Sequence, residues 1–294
     1  MGIVRASPTD GNPIIDRRRI GAADVAVVSD GIINWAPRFN IADSEWFEAR
    51  PDSDELGRVW FGLHSPIIQL GASVIIIDPC FDDPDSLWQQ NISTIWPGVE
   101  IVRSLGLKHA MTDLGIAPEA VTHVLITHAH RDHCIGVAVE RSGALAPRFP
   151  NARHFIGQPD WVGTPEHVEP GLELERLAVI DAHGLLETVD AEREVAPGVT
   201  MVPAPGESPG HNMIRMSSNG ETCWFIGDLV HLEIEVEHID WAPMHVDHAM
   251  LKESRDRWFP YFAQQRDILF FMHLLDKPWG RIVSTPSGYR WNPA

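Results

Sequence analysis

Thr127-His128-Ala129-His130-Arg131-Asp132-His133 gathers three imidazoles and a carboxylate directly after the apolar run from Val121 to Thr127. Such a run reads as a buried strand, and ligands of α/β sheets collect where strands end. Nitrogen and oxygen donors together are the mixture that zinc accepts at about 2.0–2.2 Å. Two apart on extended chain, His128 and His130 point the same way and can grip one ion. Asp132 and His133, where the chain turns into a helix, can face a second. A solvated or core-satisfied histidine cluster is the plain alternative, and placement at a strand end weighs against it.

Four donors leave two ions under-coordinated, so other strand ends should supply more. Pro209-Gly210-His211 lies between two expected strands and offers a third histidine to the first ion. Gly227-Asp228 follows the expected strand Thr222 to Ile226 and offers a carboxylate able to bridge both ions. His273, after Asp267 to Met272, completes the second.

Further out, short β runs and helical stretches alternate. Ala23 to Ser29, Ser65 to Leu70 and Ala72 to Asp78 read as strands bounded by Gly, Pro or Asp. Gly98 to Gly115 has helical spacing at Val102, Leu105, Leu107 and Met111, and a helix is also expected from His133 to Arg141. Arg153 to Ile156 reads as a strand and Leu172 to Ala182 as a helix. The second half repeats this layout with strands at Val199 to Val202, Asn212 to Ser217, Thr222 to Ile226 and Asp267 to Met272, and a helix from about Val246 to Gln265. One α/β domain with two pseudo-symmetric halves and its site at the seam is expected. The residues before about Ile20 and the loop from Trp35 to Gly57 are the least regular.

Composition narrows the function. Against 41 acids stand 23 Lys plus Arg, a net charge of −18 over 294 residues, which disfavours nucleic-acid and anionic-membrane partners. No apolar stretch approaches the roughly 18 residues that span a bilayer. The Arg17-Arg18-Arg19 run is followed by Asp24 rather than an export core, and Ala6 breaks a myristoylation pattern after Met1-Gly2. Three scattered cysteines, Cys80, Cys134 and Cys223, imply no disulfide framework and read as core. A cytoplasmic location is expected.

These motifs together resemble the metallo-β-lactamase-fold hydrolase superfamily. His128 to His133, the turn Pro205-Gly206-Glu207-Ser208-Pro209-Gly210-His211, Gly227-Asp228, His273 and the early strand Ile75-Ile76-Ile77-Asp78 carry the likeness in order. It covers about Asp24 to the C-terminus, leaving residues 1–22 as an N-terminal extension to a domain at 23–294. The resemblance implies an αββα sandwich with a dinuclear site. His128, His130 and His211 would hold one ion, Asp132, His133 and His273 the other, with Asp228 between them. Zinc is the first choice of metal, with manganese, cobalt or iron as alternatives. Gly227-Asp228-Leu229-Val230-His231 and the ending Gly288 to Pro293 look most like the branch of methyl parathion hydrolase, near the acyl-homoserine lactonases. One departure is Glu207, where that branch commonly has His; the position is not a principal ligand in the family.

Two such ions sharing a water lower its pKa from about 15.7 toward about 7 and polarise a carbonyl or phosphoryl oxygen. Asp132 is the candidate to orient the nucleophile or pass a proton to the leaving group. His130 separates the chain from the oxygen-reducing diiron branch, which typically carries glutamate there. Among the aromatics Trp35, Trp46, Trp60, Phe61, Trp161 and Trp241, the expected pocket residues are Trp60, Phe61, Trp161 and Trp241, suiting a small, neutral, apolar ester, lactone or phosphotriester. Neither Tyr261 nor Tyr289 matches the tyrosine that lactonases use. His231, His238, His245 and His248 read as surface or supporting residues rather than a third metal site. A glyoxalase II-type thioester hydrolase ranks lower, because only Lys277, Arg281 and Arg290 are scattered near the C-terminus. A nuclease is disfavoured by charge. A metal-binding interaction protein without turnover is the non-enzyme alternative, and a homodimer is left open.

Overall fold

A computed structural model of the chain describes residues 12–91, 94, 96–103, 106–141, 143–163, 172–275 and 277–294. The Met1–Ala6 segment and Leu105 lie outside these residues. Among the described residues, seventeen strands follow in chain order: β1 (Ile14–Ile20), β2 (Ala23–Trp35), β3 (Val59–Leu70), β4 (Ser73–Ile77), β5 (Glu100–Arg103), β6 (His123–Leu125), β7 (Ala138–Arg141), β8 (Ala144–Pro147), β9 (Arg153–Gly157), β10 (Leu186–Val189), β11 (Arg193–Ala196), β12 (Val199–Pro203), β13 (Asn212–Ser218), β14 (Glu221–Phe225), β15 (Ile268–Phe270), β16 (Trp279–Thr285) and β17 (Gly288–Pro293). The first sheet runs β1-β2-β3-β4-β6-β9-β10, with β5 also on β2; the second runs β11 to β17 in sequence order. A β7–β8 pair stands apart.

Alternation along these strands sorts the core into three layers, because successive side chains of a strand point to opposite faces. Val25, Val27, Ile75, Ile77 and Leu125 face inward and meet Val199, Met201, Ile214, Met216 and Phe225 of the second sheet. Their neighbours Ala26, Val28, Ile76, Val124 and Ile126 face outward, where Leu107, Ala110 and Met111 of helix Gly106–Asp113 and Leu177 and Ile180 of helix Leu172–Ala182 cover them. Val202, Met213, Trp224 and Leu269 are covered by Leu251, Trp258, Phe259 and Phe262 of helix His248–Gln265. The order is therefore helix, sheet, sheet, helix, the expected αββα sandwich. Asp247 starts the last helix by accepting from the backbone N–H groups of Ala249 and Met250, both at 3.0 Å.

Several local readings change. The segment set apart at residues 1–22 contains β1, which pairs along β2, so Arg17 to Arg19 belong to a sheet edge whose flanks Ile14 and Ile20 are buried. The helix expected from Gly98 starts only at Gly106, whose φ is +66°; residues 100–103 instead extend the sheet along β2. The helix expected from His133 is one turn, Arg131–Cys134, followed by a 3₁₀ turn and β7. Gly136 explains the early end: a Cβ there would lie 2.7 Å from the carbonyl oxygens of Pro79 and Phe81, so this backbone packs directly on the loop after β4. The loop after Trp35 holds helix Asp43–Ala49. No helix among the described residues is long and apolar enough to cross a membrane.

Candidate metal centre

β4 and β6 run parallel side by side, so the segments leaving their ends meet. Asp78 follows β4 with φ +45°, and its carboxylate accepts the Thr127 N–H and the Thr127 hydroxyl, each at 2.7 Å. It also accepts Nδ1–H of His133 at 2.9 Å. That bond fixes the ring so that His133 Nε2 faces the site, the usual way a carboxylate orients a metal-binding histidine. The His273 ring is fixed likewise, its Nδ1–H donating to the Gly62 carbonyl at 2.8 Å. Asn212 N–H donates to the Thr127 carbonyl at 2.8 Å, bringing the loop before β13 against the one after β6.

Among the described residues the donor atoms converge in three adjoining groups; Glu207, His231 and His245 form one, and the other two carry expected ligands. Of these two, His128, His130, Glu207 and Asp228 form the first, and Asp132, His133 and His273 the second; within each group all donors lie within 4.8 Å of one another. Asp228 joins the two: its Oδ2 is 3.7 Å from His128 Nε2 and 3.3 Å from His133 Nε2, and its Oδ1 is 3.1 Å from His273 Nε2. Asp132 lies 4.0 Å from His133 Nε2 and 3.9 Å from His273 Nε2. Buried His133 Nε2 and Asp228 Oδ1 make no well-formed hydrogen bond despite these short approaches. Donor atoms that face one another without pairing fit shared divalent ions, and the chemistry of the set, imidazoles with carboxylates, suits zinc, manganese, cobalt or iron.

His211 stands at the edge of this arrangement. Its Nδ1–H donates to the Ala204 carbonyl at 2.8 Å, and its Nε2 accepts the Asp228 N–H at 3.0 Å. Gly227, at φ +52°, is required here, since a Cβ would sit 2.5 Å from His211 Nε2.

Charge is concentrated and balanced. Burial works against the Asp228 carboxylate, yet His133, His273 and His231 hold it well below the usual carboxylate range. Burial likewise opposes charge on Glu207, and His231, His130 and His245 outweigh it to keep that group ionised. Burial drives His128 well below the ordinary imidazole value, with His133 and His130 adding to the effect.

Beside the donors lies a cavity of about 200 Å³ walled by Ile33, Trp35, Phe61 and Trp96, with Arg131 and Asp132 at its margin. Of the expected pocket residues, Phe61 faces it. Trp60 does not, because neighbouring residues of β3 point to opposite faces; it faces a separate cavity with Arg50 and Trp291. Trp161 packs on the outer-face cluster of the first sheet, and Trp241 stacks on His238 at 3.9 Å. Trp96, which carries no local motif, takes a wall position. Cys80, Cys134 and Cys223 are all buried, as their core reading expects.

Two of the histidines read as surface or supporting residues, His231 and His245, stand against the site. His231 Nε2 is 3.4 Å from Asp228 Oδ2 and 3.3 Å from Glu207 Oε2, and His245 Nε2 is 3.0 Å from Glu207 Oε1. His248 instead bonds the Pro243 carbonyl. Asp160 also escaped local reading: its buried carboxylate accepts the N–H groups of Ala129 and Gly210 and the Ser208 hydroxyl, at 3.0, 2.7 and 2.7 Å.

A metal-dependent hydrolase is the class that this fold and donor set define. Residues 64–260, more than half of the chain, match the family model of the metallo-beta-lactamase superfamily, and the chain belongs to that superfamily. No curated relative matches the sequence. Among solved structures it is similar to AidC, a dizinc quorum-quenching lactonase, at 20% identity covering 95% of this chain and 97% of that one, with a TM-score of 0.77. The hydrolase AbOPH of the beta lactamase superfamily gives 20% identity, 95% and 96% coverage and a TM-score of 0.77. A probable metal-dependent hydrolase from Staphylococcus aureus gives 19%, 94% and 99%, and 0.76. At such identities the likeness carries the fold.

Proposed function

We propose that the protein is a dinuclear metal-dependent hydrolase that cleaves a small, neutral, apolar ester or lactone, with phosphotriester hydrolysis as a further activity of the same site. The observation that carries this reading is Asp228, shared between two adjoining donor groups on the floor of a cavity with apolar and aromatic walls. The ligand assignment is His128, His130 and His211 for the first ion, Asp132, His133 and His273 for the second, and Asp228 between them. When bound, zinc or a similar divalent pair supplies an acidified water and an electrophilic position for the substrate oxygen. Asp132, at the cavity margin, orients the attacking water and takes the proton to the leaving group. Ile33, Trp35, Phe61 and Trp96 hold the apolar part of the substrate and exclude bulk water. The lactonase named among the similar structures supports the lactone form.

A thioester bearing an anionic carrier fits less well. None of Lys277, Arg281 and Arg290 lines the cavity, where Arg131 is the only Lys or Arg among the described lining residues. The deciding experiment is metal analysis of the purified protein with assays on p-nitrophenyl acetate, aliphatic lactones, paraoxon-type triesters and S-lactoylglutathione. Two ions per chain and chelator-sensitive turnover of the neutral substrates are expected. Turnover confined to the thioester would overturn the substrate class, and a metal-loaded protein inert on all four would overturn the enzymatic reading.

A further inference from the structure

Glu207 is buried at 3% exposure, on the turn between β12 and β13, at the position where the resembled branch commonly has histidine. Its Oε1 is 3.1 Å from His130 Nδ1, which in turn is 2.9 Å from His128 Nε2. Nδ1 carries at most one proton, so one hydrogen bond cannot fully account for both approaches. Donors bound to one tetrahedral ion at about 2.0–2.2 Å lie about 3.3–3.6 Å apart, a few tenths of an ångström wider than these separations. The fourth member is Asp228, and all four donor atoms fall within one 4.8 Å group. His211, the third histidine assigned to this ion, lies just outside that group, its Nδ1–H held by the Ala204 carbonyl and its Nε2 beside the Asp228 N–H, so Glu207 is the nearer donor.

We propose that Glu207 is an additional ligand of the first ion, joining His128, His130, His211 and Asp228. This deepens the dinuclear hydrolase reading and rests on it. A second carboxylate lowers the net charge of that ion's surroundings. It also moves the set from three histidines toward the oxygen-richer donors that suit manganese.

The test is ion stoichiometry and affinity by mass spectrometry and competition with a chromophoric chelator, on the wild-type chain, Glu207→Gln and Glu207→His, with folding followed by circular dichroism. Two ions in wild type are expected. Glu207→Gln should bind one of them at least tenfold more weakly. Glu207→His should recover zinc binding and lose relative affinity for manganese. Glu207→Gln retaining both ions at wild-type affinity would overturn the assignment while leaving the dinuclear reading intact. Three ions per wild-type chain would overturn it too, placing Glu207 in a separate site with His231 and His245. A wild-type chain binding no ions would remove both readings. Should Glu207→Gln not fold, a crystal structure of the metal-loaded wild type decides: a Glu207 oxygen within about 2.2 Å of an ion supports the assignment, and one beyond about 3 Å overturns it.

Discussion

Asp160 Oδ1 accepts the Gly210 N–H at 2.7 Å, and the other oxygen of the same carboxylate holds the Ala129 N–H at 3.0 Å. One buried side chain thus clamps the loop carrying His128 and His130 to the turn carrying Glu207 and His211. Asp160→Asn replaces one acceptor oxygen with a donor facing an N–H or a hydroxyl. Metal affinity should fall about 10–100-fold, the usual effect of disturbing the shell behind the ligands. Chelator competition checks this, and wild-type affinity would show that the clamp does not position the ligands.

Asp132 lines the cavity beside His133 and His273. Asp132→Ala should weaken occupancy of the second position and lower kcat at least about 100-fold. Steady-state kinetics alongside metal analysis separates the two effects; full turnover with both ions present would refute the role given to Asp132.

Ion removal should loosen the fold itself. A site saturated at a hundredfold excess over Kd contributes about 2.7 kcal/mol to stability. Without it, mutually facing donors such as His133 and His128 are left crowded, their rings 4.0 Å apart. Chelation should lower Tm by on the order of 5–10 °C, reversibly on adding zinc. An unchanged melting curve would contradict this.

His154 lies away from the site on β9, where burial holds its pKa down to about 4. The unfolded ring titrates near 6.5, so the unfolded state binds the extra proton first as pH falls. Stability should be unaffected by this group above about pH 6.5 and should drop by about 3 kcal/mol on going down to about pH 4. Urea titrations of wild type and His154→Asn across that window should show a shallower fall in the variant. Parallel curves would mean that His154 does not titrate in this way.

Trp35, half-buried on the cavity wall, 5.6 Å from Phe61 and 5.8 Å from the His245 ring, offers apolar area to the substrate. Trp35→Ala should raise KM for an apolar ester about tenfold with little change in kcat, the pattern of lost uniform binding. A collapse of kcat at constant KM would place Trp35 in the chemistry instead.

The strand and helix pattern was largely legible because it is local. Alternation marked the inner and outer faces of β2, β4 and β6, and the helix at Leu172–Ala182 has the bounds read from the sequence. Local reading failed where distant backbone decided the outcome. Residues 100–103 became strand because the free edge of β2 was there to pair with, and Gly136 ended a helix because the loop after β4 lies against it.

The site divides in the same way. The sequence by itself determined the family and the first histidines, since His128, His130, Asp132 and His133 are neighbours whose spacing on a strand end suffices to bring their donors together. Tertiary structure alone decided which buried carboxylates stand behind and among them. Asp78, Asp160 and Glu207 meet the histidine loop only when β4 lies beside β6 and the two sheets close on each other. It also decided that Phe61 and not Trp60 faces the cavity. A strand's alternation says that two neighbours face opposite ways, and only the packed partner sheet says which of the two ways leads to the metals.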